Sequence, residues 1–479
     1  MLAVDNFSDN EFACRSKPIG FPKSEAAAPR LRLNAQRASD VAKNARSSGR
    51  LNMTAPAVVY DLSHIVTRLG APPAGIERVD AAFARYFAER REAPPAMGLH
   101  HGLRRPHLWR ADTVSALLTE RERASSIQGD SDHAFRDLLA WLDGEAGKSS
   151  PFARLQNSRP AKPGVSLSRL RWYVAHDGGA EVPRGAIYLN ASQFRARYSF
   201  LFRWLDHRPD VKPVFFVHDL LPLEHPEFFR AGYHLGFERG IATVARYARA
   251  IIASNDTVGA GIAAEMRKRG RSDLSFFSRP LPPPTAVASP PRFDRAGLDF
   301  SAPYFVAIGT IEPRKNHLLL LHVWRDLARQ GGDVPKLVLV GARGWDNEQV
   351  VDLLERSSLL QPHVAEVSGL PTERLRQLIR GARAVLSPSF EEGYGLPIAE
   401  ALNEGTPVVA SDIAVFREIS QSRALFLDPT DGPGWRRAVA ELAKPDSALR
   451  DELQRSARGF AAPTWPAYFD ELEDFLRSL

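Results

Sequence analysis

The sequence predicts an α/β protein made of two doubly wound, Rossmann-like domains. Three observations carry that prediction. Short apolar runs such as YFVAIG (304–309), KLVLVG (336–341) and AVLSPS (384–389) alternate with stretches of helical period. Strands apolar on both faces and separated by helices belong in a parallel sheet covered on both sides. Prolines crowd together at 280, 282, 283, 284, 290, 291 and 303, and so many rigid residues without amide donors make a linker rather than an element. The chain is also long for one core, at 479 residues, which favours two domains.

The elements follow in order. Residues 1–54 hold nine Lys/Arg against five Asp/Glu and show no sustained hydrophobic period, as expected of a disordered basic tail. Residues 55–290 read as the first domain. Its strands are PAVVYDL (56–62), AIYLNA (186–191), PVFFVHDL (213–220) and AIIASN (250–255), with helical patterns at 76–87 and 235–248. A polar region at about 115–170, with an amphipathic piece around Phe135–Leu142, reads as a helical insertion. Residues 291–462 form the second domain, adding the strands VAEVSG (364–369) and PVVAS (407–411) and helices at 317–329, 347–357 and 372–380. In the final stretch, 463–479, Tyr468, Phe469, Leu472, Phe475, Leu476 and Leu479 make one apolar stripe. That helix is expected to pack back toward the first domain.

Composition narrows the function classes. Apolar residues make up 44% and charged residues 25%, as in globular proteins. One cysteine, Cys14, excludes a disulfide framework and a cysteine metal cluster. No apolar run approaches the roughly 18 residues of a membrane span, and the first residues lack the layout of a signal peptide. The expected location is cytoplasmic. Over half of the net charge of +7 sits in the tail, which argues against a nucleic-acid-binding face. The tail reads either as a solvated segment or as a tether to an anionic surface.

The chemistry concentrates in two stretches. In open α/β sheets, ligands bind at the carboxyl ends of strands. FEEGYGLPIAEAL (390–402) follows one strand and opens a helix. Pro397 suits the first helical position. Gly393 and Gly395 let the backbone approach a ligand, and free amides at a helix start bind phosphate. Glu392 in the loop and Glu400 in the first turn flank that anion-binding turn, and carboxylates accept strongly from sugar hydroxyls. A ligand with hydroxyls at both ends and phosphates between them, such as a nucleotide-sugar, matches this layout. Read alone, Glu400 also serves as a dipole complement and Glu392 as a solvated loop acid. GTIEPRKN (309–316) follows another strand, and its Arg314 and Lys315 read as the start of the next helix. Cations there do not complement the dipole, and two of them suit a diphosphate. His218 reads either as a strand-end histidine bonded to a turn or as a site residue.

Together GTIEPRKN, RGWDNEQV (343–350), SPSFEEGYGLPIAEAL and GTPVVASD (405–412) resemble the C-terminal half of family-four glycosyltransferases of the GT-B fold, in its bacterial mannosyltransferase-like group. A thinner likeness runs through PPAGIERV (72–79) and FVHDLLPLEHPEFFR (216–230). The resemblance implies two Rossmann-like domains facing across a cleft, and a retaining, metal-independent enzyme with no cofactor besides its nucleotide-sugar substrate. It implies that Glu400 binds the donor ribose and that Glu392 faces the transferred sugar. Gly393, Tyr394, Gly395 and Leu396 would contact that sugar and the diphosphate, which Lys315 and Arg314 hold. Gly309 and Thr310 form the phosphate loop, where many members carry arginine in place of Thr310, and that shifts charge neutralisation onto Arg314 and Lys315. Gly369 and Leu370 fall in the base-contacting loop, Gly75 in a glycine loop over the phosphates, and His218 near the donor sugar and acceptor. The expected donor is GDP-mannose, and the expected acceptor is a growing surface polysaccharide or lipid-linked glycan. Phe228, Phe229, Arg230 and Tyr233 read either as a contact with the inner membrane or as an ordinary amphipathic loop. Competing readings are a nucleotide-sugar epimerase of the same fold and a non-catalytic nucleotide-sugar-binding protein. A phosphorylase would need a cofactor lysine and a longer chain.

Overall fold

The computed structural model describes residues 55–479 apart from 70–74, 91–95, 103–105, 127–129, 145–171, 173–176, 178–179, 194 and 284–301. The tail, most of the proline linker and part of the 115–170 region therefore lie outside the described residues.

Two sheets carry the architecture. The first contains β1 (Val58–Asp61), β2 (Met97–His101), β3 (Pro106–Trp109), β4 (Ile187–Asn190), β5 (Lys212–Phe216), β6 (Ala250–Ala253) and β7 (Ser275–Ser278). Their spatial order is β3-β2-β1-β4-β5-β6-β7. The second contains β8 (Tyr304–Ile308), β9 (Lys336–Val340), β10 (Val364–Val367), β11 (Ala384–Ser387), β12 (Val408–Ser411) and β13 (Leu425–Leu427), ordered β10-β9-β8-β11-β12-β13. All pairings are parallel except β2 with β3. The direction of winding reverses between β1 and β4, where Val58 faces Ile187, and between β8 and β11, where Phe305 faces Ala384. These reversals are the switch points, at which a crevice opens between loops leaving in opposite directions.

Sequence pattern missed β2, β3, β7 and β13. MGLHH, PHLW and SFFS mix glycine, histidine and serine into short strands, which hides the apolar signal. β5 ends at Phe216, so His218 and Asp219 stand in the loop beyond it rather than on the strand.

Each sheet is partly covered by a helix from the other half of the chain. The Asp130–Leu142 helix places Phe135, Leu138, Trp141 and Leu142 in a core cluster with Val306, Val338 and Leu375 of the second sheet. The Lys336 ammonium lies 4.5 Å from the Trp141 ring centroid and donates to the carbonyls of Trp141 and Leu142. In the other direction, the Trp465–Arg477 helix buries Trp465, Tyr468, Phe469, Leu472 and Leu476 among Phe83, Phe87 and Phe216 of the first. The Phe469 ring stacks on Tyr86 at 3.9 Å and 6°. Arg90 donates to Glu473 at 2.9 Å.

Candidate active site

The carboxyl ends of β8 and β11 meet at the second switch point. Ala307 and Ile308 from β8, and Leu386 and Ser387 from β11, line a small cavity there with Lys315, His317, Ser389, Glu392, Gly395 and Pro397. Two helices start at this place, Leu396–Asn403 and His317–Gln330, and no side chain caps either of them. Their first amides therefore lack the usual side-chain acceptor and leave a partial positive charge at the cavity.

Gly395 makes the approach of one helix possible. It sits at φ +104°, and a Cβ there would lie 2.7 Å from the Phe416 ring and 2.9 Å from Ile419. Both the left-handed backbone and the close packing require glycine. Pro397 follows in the first turn, as expected. Glu400 is the fifth helical residue, so it belongs to the second turn and not the first. Arg314 and Lys315 also differ from expectation. They occupy a 3-10 turn, Pro313–Lys315, and Asn316 at φ 54° turns the chain before the helix begins at His317.

That turn aims both cations at Glu392. The Arg314 guanidinium donates to the Glu392 carboxylate at 2.5 Å, to the Glu391 carbonyl at 2.8 Å and to Glu312 at 2.7 Å. Lys315 Nζ donates to the other Glu392 oxygen, which also accepts from Ser389 at 2.8 Å. Burial opposes the charge of Glu392, but Arg314 and Lys315 outweigh it and hold the carboxyl down to about 2. An acid only 7% exposed is thus kept ionised by two side chains long enough to take other partners.

Glu400 is 1% exposed and is paired with Arg78 of the Gly75–Glu89 helix at 2.8 Å. A Cβ on Gly75 would lie 3.6 Å from Leu396. The starts of these two helices, one from each domain, therefore face each other across the cleft. Gly393 completes the closure: its carbonyl accepts from Asn255 at 2.8 Å and Ser254 at 3.1 Å, and a Cβ there would strike Asp219 at 2.7 Å. Tyr394 donates to the Leu281 carbonyl at 2.5 Å. Gly309 lies under the Lys315 stem, 3.1 Å from where its Cβ would stand, and Thr310 packs against Gly344. Gly369 and Leu370 lie past β10, two strands from β8 and outside this cluster.

His218 Nε2 bonds to the Ala191 carbonyl at 2.8 Å, and its ring stacks on Phe216 at 4.2 Å. Burial depresses the imidazole to about 4, so it is neutral at pH 7. Beside it, burial pushes Asp219 up to about 6, against the pull of Arg314. Phe228 stacks on Phe390 at 5.6 Å, Phe229 lies on Trp345 at 6.4 Å, and Arg230 covers the Trp345 ring. These aromatics therefore join the two domains. Tyr233 stays half exposed, as do Tyr198, Phe200 and Leu235.

Sequence reasoning missed Arg78, Asp219 and His317. Arg78 sits within the quoted PPAGIERV, and Asp219 follows His218, so position alone pointed to both. At the first switch point it also missed a polar cage. Asp61 accepts from Tyr188 at 2.6 Å, Asn190 at 2.8 Å and the Ser63 amide at 2.9 Å, with His101 at 3.1 Å.

Comparison with known proteins supports the two-sheet fold. Residues 292–460 match the family model "Glycosyl transferases group 1". The serotype-specific mannosyltransferase WbdA of Escherichia coli is 29% identical over 238 residues, covering 47% of this chain and 29% of WbdA. The O-antigen chain mannosyltransferase B of E. coli is 38% identical over 144 residues, covering 30% of this chain and 38% of that protein. The chain thus spans 29% to 38% of the length of these relatives. Anabaena HepE in complex with UDP superposes with a TM-score of 0.50 at 14% identity, covering 89% of this chain and all of HepE, a likeness of fold. Residues 292–460 are thus similar to the group 1 glycosyl transferases, and the two-sheet architecture is that of the GT-B fold.

Proposed function

We propose that this protein is a retaining, metal-independent glycosyltransferase that moves mannose from GDP-mannose to a growing surface polysaccharide or lipid-linked glycan. The observation that carries the reading is the pairing of Arg314 and Lys315 with buried Glu392 beneath two uncapped helix starts. The names of the bacterial relatives support mannose and the O-antigen.

In this reading a bound diphosphate takes Arg314 and Lys315 from Glu392, and the helix amides complete its charge neutralisation. Glu392, released from its counter-ions, accepts hydrogen bonds from hydroxyls of the transferred sugar. Glu400 accepts from the ribose once Arg78 gives way, and Gly369 and Leu370 meet the base. The bond from the anomeric carbon to the phosphate oxygen breaks, its electron pair leaving with the nucleoside diphosphate. The acceptor hydroxyl attacks from the same face and passes its proton to the departing phosphate oxygen. Neutral His218 and Asp219 border that approach. The exposed aromatics Tyr198, Phe200 and Tyr233, with Arg197 over Tyr198 at 4.8 Å, are the surface for peripheral contact with a membrane-held acceptor.

The test is the melting midpoint of the full chain against GDP-, UDP-, dTDP- and ADP-sugars, followed by transfer assays with and without EDTA. A ligand that binds the folded state raises the midpoint. The expected result is a shift with GDP-mannose and transfer that survives EDTA. A folded chain that shifts with no nucleotide-sugar sinks the proposal, and transfer abolished by EDTA sinks its metal independence.

A further inference from the structure

His317 is the first residue of a helix whose later turns put Leu320, Leu321 and Trp324 into the core. The side chain lines the cavity at the second switch point with Lys315, Ser389 and Glu392. It is 3% exposed, and Nδ1 has no hydrogen-bond partner among the described residues. Burying a ring nitrogen without a partner is destabilising, and an aliphatic side chain would pack on these leucines without that cost. Packing alone therefore explains the histidine poorly.

Its surroundings favour a neutral ring. Burial and then Lys315 depress the imidazole to about 3, and a helix start disfavours a cation. A neutral imidazole still carries one N–H, so it adds a donor to this cluster without adding charge.

We propose that His317 is a third diphosphate-binding side chain of this site, donating from Nδ1 to a non-bridging phosphate oxygen beside Lys315. The assignment rests on the nucleotide-sugar reading above. It gives the helix start a side-chain donor directed at the same anion as its free amides, and it leaves Lys315 and Arg314 to carry the charge.

The experiment is calorimetric titration of the full chain with GDP and with GMP, then with the uridine, thymidine and adenosine pairs. Wild type is compared with His317→Leu, His317→Asn and Lys315→Ala. Leucine removes the donor, whereas the Asn side-chain nitrogen occupies nearly the same place as Nδ1. The diphosphate should bind roughly ten- to a hundredfold more weakly to His317→Leu. The monophosphate should change much less, and His317→Asn should restore most of the loss. If His317→Leu does not fold, His317→Met, similar in volume and without a donor, replaces it. Equal diphosphate affinity in wild type and the apolar variant overturns the assignment, as does an equal loss in the Leu and Asn variants. If wild type binds and Lys315→Ala does not, indifference to His317→Leu overturns this assignment alone. A wild-type chain that binds no nucleoside diphosphate overturns it together with the proposed function.

Discussion

The two switch points each bury an acid, and they neutralise it in opposite ways. Asp61 at the first is held by a tyrosine hydroxyl, an asparagine amide, a backbone N–H and a histidine. Tyr188, Asn190 and His101 all project from neighbouring strands of the sheet. Burial opposes the charge of Asp61, yet His101 and these donors hold the carboxyl well below the usual range. Glu392 at the second is held by Arg314 and Lys315, which reach it from a turn. A cage of short donors fixed on a sheet cannot exchange partners without disrupting the strands. Long cationic side chains on a turn can. On the proposed function, the same buried charge serves as framework in one domain and as a ligand-responsive element in the other.

Removing one group from each site should break that symmetry. Lys315→Ala should lower transfer by roughly 10²–10³-fold, the scale of losing one preorganised charge partner of a departing anion. It should also abolish the rise in melting midpoint that GDP produces in wild type. Asp61→Asn should cost about 2–3 kcal/mol of stability, because Tyr188, Asn190 and the Ser63 amide lose a charged acceptor. Yet the folded variant should keep the full GDP-induced shift. Urea unfolding with and without GDP separates the two effects. If Asp61→Asn loses the shift and Lys315→Ala keeps it, the assignment of framework and ligand site is reversed.

The contrast also explains what could be read from sequence. GTIEPRKN and FEEGYGLPIAEAL each gather glycine, charge and a helix start directly after a strand, so their chemistry lies within a few consecutive residues. The Asp61 cage joins positions up to 129 residues apart, and no local pattern announces it. The parallel sheets follow from alternation of strands and helices, but β2 does not, because His100 and His101 look polar while tertiary contacts bury them. The chain closure at Arg78–Glu400 and Gly393–Asn255 depends on how the halves meet, which periodicity does not encode. His317 failed to stand out for a related reason: in a run of leucines it reads as an irregularity of a core helix until the cavity beside it is seen.

Acid stability gives the smallest effect and sharpens the same comparison. Burial holds His218 to about 4 and His317 to about 3, against an ordinary 6.5. The unfolded chain therefore takes up protons below pH 6.5 that the folded chain refuses, and stability falls as pH drops from there. Asp219 acts in the reverse sense. Burial raises it from 3.8 to about 6, so between those values the folded chain binds the extra proton and gains stability as pH falls. The carboxyls held low, Glu392 and Asp61, contribute only once pH falls below the ordinary carboxylate range. Between about pH 6.5 and 4.5, these groups act together with His100 of the first domain, which burial also depresses to about 4, and with Glu312, Glu391 and Glu400, which burial raises. The histidines held low predict a loss in that window, moderated by the raised carboxyls, and a steeper loss below it. Asp219→Asn removes one of the opposing contributions, so its urea midpoint should fall more steeply than wild type from pH 6.5 to 4.5. A flatter profile in that variant would mean that Asp219 is ionised in the folded protein, held by Arg314 across the closed cleft rather than neutralised by burial.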